Sequence, residues 1–145
     1  MSVGIPRKDE DLPSWREDVT ELVNTLPDTV NGRVTTTNGT GTVILSLPLI
    51  ANCTYLYTWT VVARQSAGSG TVGDGAAYQG ATAWHLVGST ATEIGTSIQP
   101  LIVEDDTNWG VAVAGSGNRV EWTVTGAASK TIGWRIDVAA RRLAV

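Results

Sequence analysis

The sequence is poor in the residues on which most catalytic and metal sites depend. It contains one histidine, His85, and one cysteine, Cys53. A zinc site needs several His, Cys or carboxylate ligands, and a single cysteine cannot form an internal disulfide. A Ser-His-Asp or Cys-His mechanism would have to use His85, and the chain has no Gly-x-Ser-x-Gly nucleophile turn. We therefore expect a protein that is not an enzyme and has no catalytic residues, metal site or cofactor.

Basic residues and long apolar runs are also scarce. The chain has 10 Lys and Arg against 14 Asp and Glu, and its isoelectric point is about 4.8. Nucleic-acid binding needs clustered cations that neutralise phosphates. No run of 18 apolar residues is present, and the first residues lack the apolar core of a signal peptide. We expect neither nucleic acid nor a membrane as a partner, and synthesis in a cytoplasm without a signal peptide.

The abundant residues are those that favour strands and turns. The chain has 20 Thr, 17 Val and 6 Trp, with no Phe. Branched and aromatic side chains suit the surface of a pleated sheet, and the 16 Gly suit turns. The composition predicts an all-β protein.

The first 28 residues differ from the rest of the chain. They hold 10 of its 24 charged residues and have a net charge of −4, whereas the other 117 residues carry seven charges of each sign. A capping box, Ser14-Trp15-Arg16-Glu17, precedes apolar residues at helical spacing. This pattern predicts an amphipathic helix at about 14–26 in an acidic arm, residues 1–28. So short a helix is unstable alone, so its apolar face is predicted to dock either on this chain's own body or on a neighbouring subunit, and the arm is predicted to be an anchor. The anchoring residues would be Trp15, Val19, Leu22 and Leu26.

From residue 29 the apolar residues recur with a period of two. About eight antiparallel strands with frequent turns predict a β-sandwich or jelly roll over residues 29–145. Asn38-Gly39 predicts a hairpin between strands at 33–37 and 42–47. The strand at 54–63 is apolar on both faces and is predicted to be central. The last three strands are predicted to form a meander.

Shorter signals have ordinary structural interpretations. Gly68–Gly73 matches Gly-x-Gly-x-x-Gly but no helix is predicted after it, so residues 66–77 are interpreted as a loop. Pro100 predicts an edge strand or a bulge. Glu104-Asp105-Asp106 is interpreted as an exposed acidic turn.

The tryptophans divide into two predicted groups. Trp59, Trp109, Trp122 and Trp134 share the phase of their apolar neighbours and are predicted to be core residues. Sugar-binding domains stack glycans on exposed aromatic rings. Trp84, beside His85, is predicted to be a possible glycan contact.

The segment from Thr82 to the end resembles a module of tailed-bacteriophage virion proteins. In such proteins a Val-Thr-Gly then Thr-Ile-x-Trp hairpin closes a small β-domain. The resemblance implies a non-enzymatic structural protein, usually oligomeric, and it transfers no catalytic residue. It rests on Ala83–Thr90, Asp106–Trp109, Val120–Gly126 and Thr131–Trp134.

The resemblance leads to a specific expectation. The chain would be a capsid decoration or head-fibre protein of a virion, made in the host cytoplasm. It would bind itself, with a trimer as the guess, and bind other virion proteins through the arm. The alternatives are a tail-fibre or baseplate adaptor, and a carbohydrate-binding module for the host receptor. A small hydrolase using His85 is a third hypothesis.

Overall fold

The computed structural model describes residues 28–145. The predicted helix at about 14–26, with Trp15, Val19, Leu22 and Leu26, lies outside the described residues. The described part is all-β, as predicted, and has nine strands. They are β1 (Asp28–Thr36), β2 (Thr42–Pro48), β3 (Cys53–Gly68), β4 (Gly75–Val87), β5 (Thr90–Glu93), β6 (Ile98–Glu104), β7 (Gly110–Ser116), β8 (Arg119–Thr125) and β9 (Lys130–Ala144).

The strands form two antiparallel sheets that share one core. The larger sheet has six strands in the order β1-β9-β3-β4, and both β5 and β6 pair with the free edge of β4. The smaller sheet has three strands in the order β2-β8-β7. The rings of Tyr57 in β3 and Trp122 in β8 pack nearly perpendicular to each other, with ring centroids 5.3 Å apart. This confirms the predicted sandwich.

Strand β3 is central, as predicted, because it lies between β4 and β9. Its alternation places Tyr57, Trp59 and Val61 in the core and turns Leu56 and Val62 to solvent. Successive side chains of a strand point to opposite faces, so one buried and one exposed face is the natural outcome. The second apolar face of this strand is therefore a surface.

The predicted core tryptophans are all buried. Trp122 has no exposed surface, and Trp59, Trp109 and Trp134 are almost fully buried. The indole N–H of Trp134 donates to Thr36 Oγ1 over 2.9 Å, which links β9 to the end of β1. Cys53 is also buried and has no disulfide partner, as predicted.

The predicted hairpin at Asn38-Gly39 is wrong. Strand β1 pairs with β9 and β2 pairs with β8, so the two strands belong to different sheets. The turn itself forms, because Asn38 Oδ1 accepts a hydrogen bond of 2.9 Å from the Thr40 amide. Residues 37–41 are long enough to cross between packed sheets, which lie about 10 Å apart. The Asn38-Gly39 turn therefore lies in a connection between the two sheets and does not close a hairpin.

The predicted C-terminal meander is also wrong in its last step. β7 pairs with β8, but β9 lies in the other sheet. Trp122 and Trp134 thus enter the core from opposite sheets. The crossing begins at Gly126, where an added Cβ would lie 2.5 Å from Thr36 Oγ1. The segment that resembles a phage hairpin is therefore a connection between the two sheets.

β3 and β4 are longer than predicted and shorten the glycine-rich loop to residues 69–74. β6, with Pro100, pairs only with β4, and the register shifts between Gln79 and Ala81, as predicted for an edge or bulge. The short strand β5 was not predicted.

Candidate interaction face

The structure does not bring Trp84 and His85 together. Trp84 is 4% exposed and its indole N–H donates to Thr82 Oγ1 over 2.6 Å. His85 points to the opposite face of β4, where its neighbours across the sheet are Thr54 and Thr92. Adjacent residues of a strand cannot share a face. The prediction that Trp84 is a surface contact is therefore wrong, and the alternation of the strand was the signal that could have shown it.

No aromatic platform for a sugar exists in residues 28–145. A stacking site needs an exposed ring. Every tryptophan and tyrosine in this part of the chain is buried: Tyr55, Tyr57, Trp59, Tyr78, Trp84, Trp109, Trp122 and Trp134.

The acidic turn at the end of β6 is more engaged than predicted. Its carboxylates accept hydrogen bonds from three different parts of the domain. Lys130 lowers the pKa of Asp106 below its ordinary value, chiefly by hydrogen bonding to its carboxylate. The turn therefore connects the end of β6 to β4 and to the start of β9 by hydrogen bonds. The contacts are Tyr78 Oη to Glu104 (2.6 Å), the Gly75 amide to Asp105 (2.8 Å) and Lys130 Nζ to Asp106 (2.8 Å).

A second polar cluster lies beside the buried Trp84. The Glu93 carboxylate accepts hydrogen bonds from the Ser97 amide (3.1 Å) and the Ser97 hydroxyl. The Ser97 hydroxyl also contacts Thr82 Oγ1 over 2.7 Å. His85 lies on the other face of the sheet, so this hydroxyl and carboxylate have no imidazole beside them. The cluster orders the turn between β5 and β6.

Within 28–145, no group of three or more His, Cys, Asp or Glu side chains is placed to hold a metal ion. None of the described segments is a helix of the length and apolarity needed to cross a membrane.

We call the solvent side of the six-stranded sheet the outer face. Its two middle strands, β3 and β4, present threonine, alanine and aliphatic side chains there. Leu56 and Val62 are 44% and 47% exposed at its centre. None of the outward residues between positions 54 and 62 or between 77 and 85 is charged. They are Thr54, Leu56, Thr58, Thr60, Val62, Ala77, Gln79, Ala81, Ala83 and His85.

Two depressions lie on the outer face. The first, about 560 Å³, is lined by Arg33, Arg64 and Arg135, with Gly133 among them. Gly133 has no side chain, so the backbone of β9 is accessible between the three guanidinium groups. The second, about 480 Å³, is lined by residues from the adjoining part of the same face, including Thr29 and Thr58. The outer face is therefore recessed where a partner could lie.

Charge is unevenly distributed around the domain. The register of β1, β9 and β3 turns Arg33, Arg64, Arg135 and Arg141 toward the outer face, together with only one acid, Asp137. Arg135 pairs with Asp137 over 3.1 Å, which raises the pKa of Arg135. Arg33 lies directly across from Arg135, and like charges in that position repel. Within residues 28–145, neither Arg33 nor Arg64 has an ion-pair partner.

This excess of positive charge could not be read from the linear sequence. The segment from residue 29 carries equal numbers of both signs. Only the strand register shows that most of its arginines share one face, while the carboxylates near Asp106 and Glu121 lie elsewhere.

Comparisons with known proteins found weak likenesses to solved structures. No family model matches the sequence, and no curated protein matches it. The fold is similar to the tailspike protein of Acinetobacter phage vB_ApiP_P1, with 15% identity, a TM-score of 0.47 and coverage of 82% of this chain and 22% of that chain. The tailspike protein of Acinetobacter baumannii phage AM24 has 9% identity and a TM-score of 0.43. That match covers 81% of this chain and 28% of the tailspike chain.

A third likeness is to tailspike protein gp49 of Acinetobacter baumannii bacteriophage Fri1, a capsular polysaccharide depolymerase. Its identity is 14% and its TM-score 0.39, and the match covers 83% of this chain and 20% of that chain. The present chain thus spans between 20% and 28% of the length of these tailspike chains.

Proposed function

We propose that the chain is a non-enzymatic structural protein of a bacteriophage virion, and that it decorates the capsid or belongs to a head fibre. The β-domain packs in the assembly through its outer face, and the acidic arm anchors the chain. The observation that carries this proposal is the outer face itself.

The outer face has the chemistry of a contact surface. Exposed aliphatic side chains such as Leu56 and Val62 lie on the middle strands, where none of the outward residues at 54–62 or 77–85 is charged. Large exposed apolar patches on a soluble domain mark interaction sites. The uncharged middle part of this face loses little favourable hydration when a partner covers it, because no charge there has to be desolvated.

The polar groups of the described residues support a structural role. The carboxylates of Glu93, Glu104 and Asp106 hold turns in place through hydrogen bonds to neighbouring strands. His85, the single imidazole, has threonines as its cross-strand neighbours. A hydrolase using His85 would need a nucleophile and an orienting carboxylate within hydrogen-bond reach.

The proposed virion location is supported by the resemblance of the sequence to phage virion proteins, and the proposed anchoring role by the residues of the arm. The segment from Thr82 to the end resembles a module of phage virion proteins, although the part that resembles a closing hairpin is, in this chain, the connection from β8 to β9 between the two sheets. The arm combines an acidic charge with apolar residues at helical spacing, which need a partner to be buried.

The test is the incorporation of variants into phage particles. A chain without residues 1–27 keeps β1 intact from Asp28 and should give the same β-rich circular dichroism spectrum. We expect it to be absent from purified particles. Normal incorporation would contradict the anchoring role, and absence of the wild-type chain from particles would contradict the virion setting.

A matched pair of point variants separates anchoring from a loss of solubility. Val19→Asp with Leu22→Asp places charges at two predicted anchoring positions. Thr20→Asp with Thr25→Asp adds the same charge to the same segment at positions outside the apolar set. The first pair should lower incorporation at least about tenfold, and the second should leave it near wild type.

Two alternatives have their own tests: a tail-fibre or baseplate adaptor, and a carbohydrate-binding module. Electron microscopy of labelled particles would place a tail-fibre or baseplate adaptor at the tail instead of the head. A carbohydrate-binding role could not use Trp84 for stacking, because that ring is buried. A glycan array on the full chain tests whether the row of Thr54, His85 and Thr92 binds a sugar without stacking on Trp84. The comparison is the same array with the His85→Ala variant.

A further inference from the structure

We propose that the outer face of the six-stranded sheet is the binding site for this chain's own segment 14–26. The inference rests on the proposed anchoring role of the arm and names its partner. The occupant is chosen by three observations: charge complementarity, the position at which the described chain begins, and the match of apolar residues.

The charges of the arm and the face are opposite. Residues 1–27 carry six acids and three bases. The outer face presents four arginines and one carboxylate. Arg33 and Arg135 oppose each other across the β1–β9 pair, and repulsion of that kind is relieved by an anion placed between them. Within the predicted helix the acids are Glu17, Asp18 and Glu21.

The described chain begins at the edge of this face. Asp28 opens β1, and the next residue, Thr29, lines the second depression. Thr29, Ala139, Thr58 and Ala81 form one row across β1, β9, β3 and β4. Three strand spacings make this row about 14 Å wide. A helix over 14–26 would be about 20 Å long, so it can cross the middle of the sheet.

The apolar residues of the segment have counterparts on the face. Leu56 and Val62 are nearly half exposed, and each lies between an alanine of β4 and an arginine of β9. Trp15, Val19 and Leu22 can be buried against these aliphatic side chains while the acids of the segment pair with the flanking arginines. The arginines lie mainly toward one end of the face, around Gly133, where the acids can reach them.

The test is disulfide trapping in the full-length purified chain. One variant carries Val19→Cys with Val62→Cys, and its control carries Val19→Cys with Val43→Cys. Val43 and Val62 are each 47% exposed, but Val43 lies on the three-stranded sheet. Cys53 is buried and is common to both variants. Oxidation with copper–phenanthroline in air is followed by non-reducing gels and peptide mapping.

We expect the Val62→Cys variant to form the disulfide about tenfold faster than the Val43→Cys variant, because docking raises the effective concentration of the two thiols. A bond within one chain identifies docking on the same copy, and a bond between chains identifies docking on a neighbouring copy. Both support the outer face as the binding site, and only the bond between chains also supports the anchoring role of the arm. Equal rates for the two variants would overturn it.

A second comparison tests the charges. Adding Arg33→Glu and Arg64→Glu to the Val62→Cys variant should remove most of its rate advantage, and 0.5 M salt should weaken it in the parent variant. A rate that is insensitive to both changes would overturn the electrostatic part of the proposal. Because no particles are used, failure here leaves the incorporation test of the proposed function unaffected.

Discussion

The two solvent faces of the sandwich differ in whether their arginine side chains have bonding partners. On the three-stranded sheet, Arg119 donates to the Ser46 hydroxyl (2.7 Å) and to the Ser46 carbonyl (2.8 Å), and that hydroxyl also contacts Glu121 (3.3 Å). On the six-stranded sheet, Arg33 and Arg64 have no ion-pair partner among residues 28–145. One face satisfies its own polar groups, and the other leaves cations beside exposed aliphatic side chains.

The difference separates a surface whose polar groups are already hydrogen-bonded from a surface that is suited to a partner. A face whose charged side chains already have hydrogen-bond partners gains little from a new contact. A face with like charges in register and exposed Leu56 and Val62 gains from burial and from a countercharge. This comparison is the physical basis for assigning the interaction to the six-stranded sheet.

The largest expected effect tests whether the two faces belong to one cooperative unit. Trp122 is fully buried between the sheets and packs against Tyr57. Trp122→Ala should lower the free energy of unfolding by about 3–5 kcal/mol, because it removes a large side chain and leaves a cavity. Urea unfolding monitored by circular dichroism measures this. A loss below about 1 kcal/mol would show that the sheets do not share the described core.

The next effect compares a glycine in each sheet. A Cβ at Gly80 in β4 would lie 2.3 Å from the Trp59 ring, whereas one at Gly110 in β7 would have no atom within 4 Å. Gly80→Ala should cost about 1–3 kcal/mol through overpacking. Gly110→Ala should change the unfolding free energy by less than about 1 kcal/mol. Equal effects in the same urea titration would break the comparison.

A smaller effect tests the arginines of the two faces directly. Arg119→Ala removes hydrogen bonds to Ser46 and should cost about 1–2 kcal/mol. Arg64→Ala should stay within about 0.5 kcal/mol in the purified chain without residues 1–27, because no partner is lost in the β-domain. If Arg64→Ala proved the more destabilising in that chain, the contrast between the faces would be wrong.

The smallest effect concerns the rim of the sheets and depends on pH. The pKa of Asp106 is lower in the folded protein than its ordinary value of 3.8, chiefly because of hydrogen bonding to Lys130. The pair therefore stabilises the fold fully above pH 3.8, and this is lost as pH falls toward the folded pKa. Asp106→Asn should flatten the decline of Tm at acid pH by a small amount, since such pairs contribute about 1 kcal/mol or less. An unchanged acid profile would contradict the pairing.

Sequence periodicity predicted the strands and the core well, because alternation determines which side chains face inward. Trp122 and Trp134 were recognised as core residues for that reason. Alternation does not determine which strands are neighbours, so the hairpin at Asn38-Gly39 and the pairing of the last strands were wrong. The same rule, applied to Trp84 and His85, would have separated them.

The interaction face was harder to predict for a related reason. Arg33 and Arg135 are about a hundred residues apart in the sequence, and only the β1–β9 register places them opposite each other. A net charge of zero from residue 29 onward concealed this arrangement. The predicted anchoring segment, in contrast, could be read locally from its capping box and helical spacing.

Hydroxyl-radical footprinting of the full-length chain measures whether the outer face is covered. Val62 on the outer face and Val43 on the three-stranded sheet are the same residue type and are equally exposed in the β-domain. If the outer face is the interaction face, Val62 should be oxidised several-fold more slowly than Val43, and deletion of residues 1–27 should remove the difference. Equal oxidation of the two valines in the full-length chain would contradict the account.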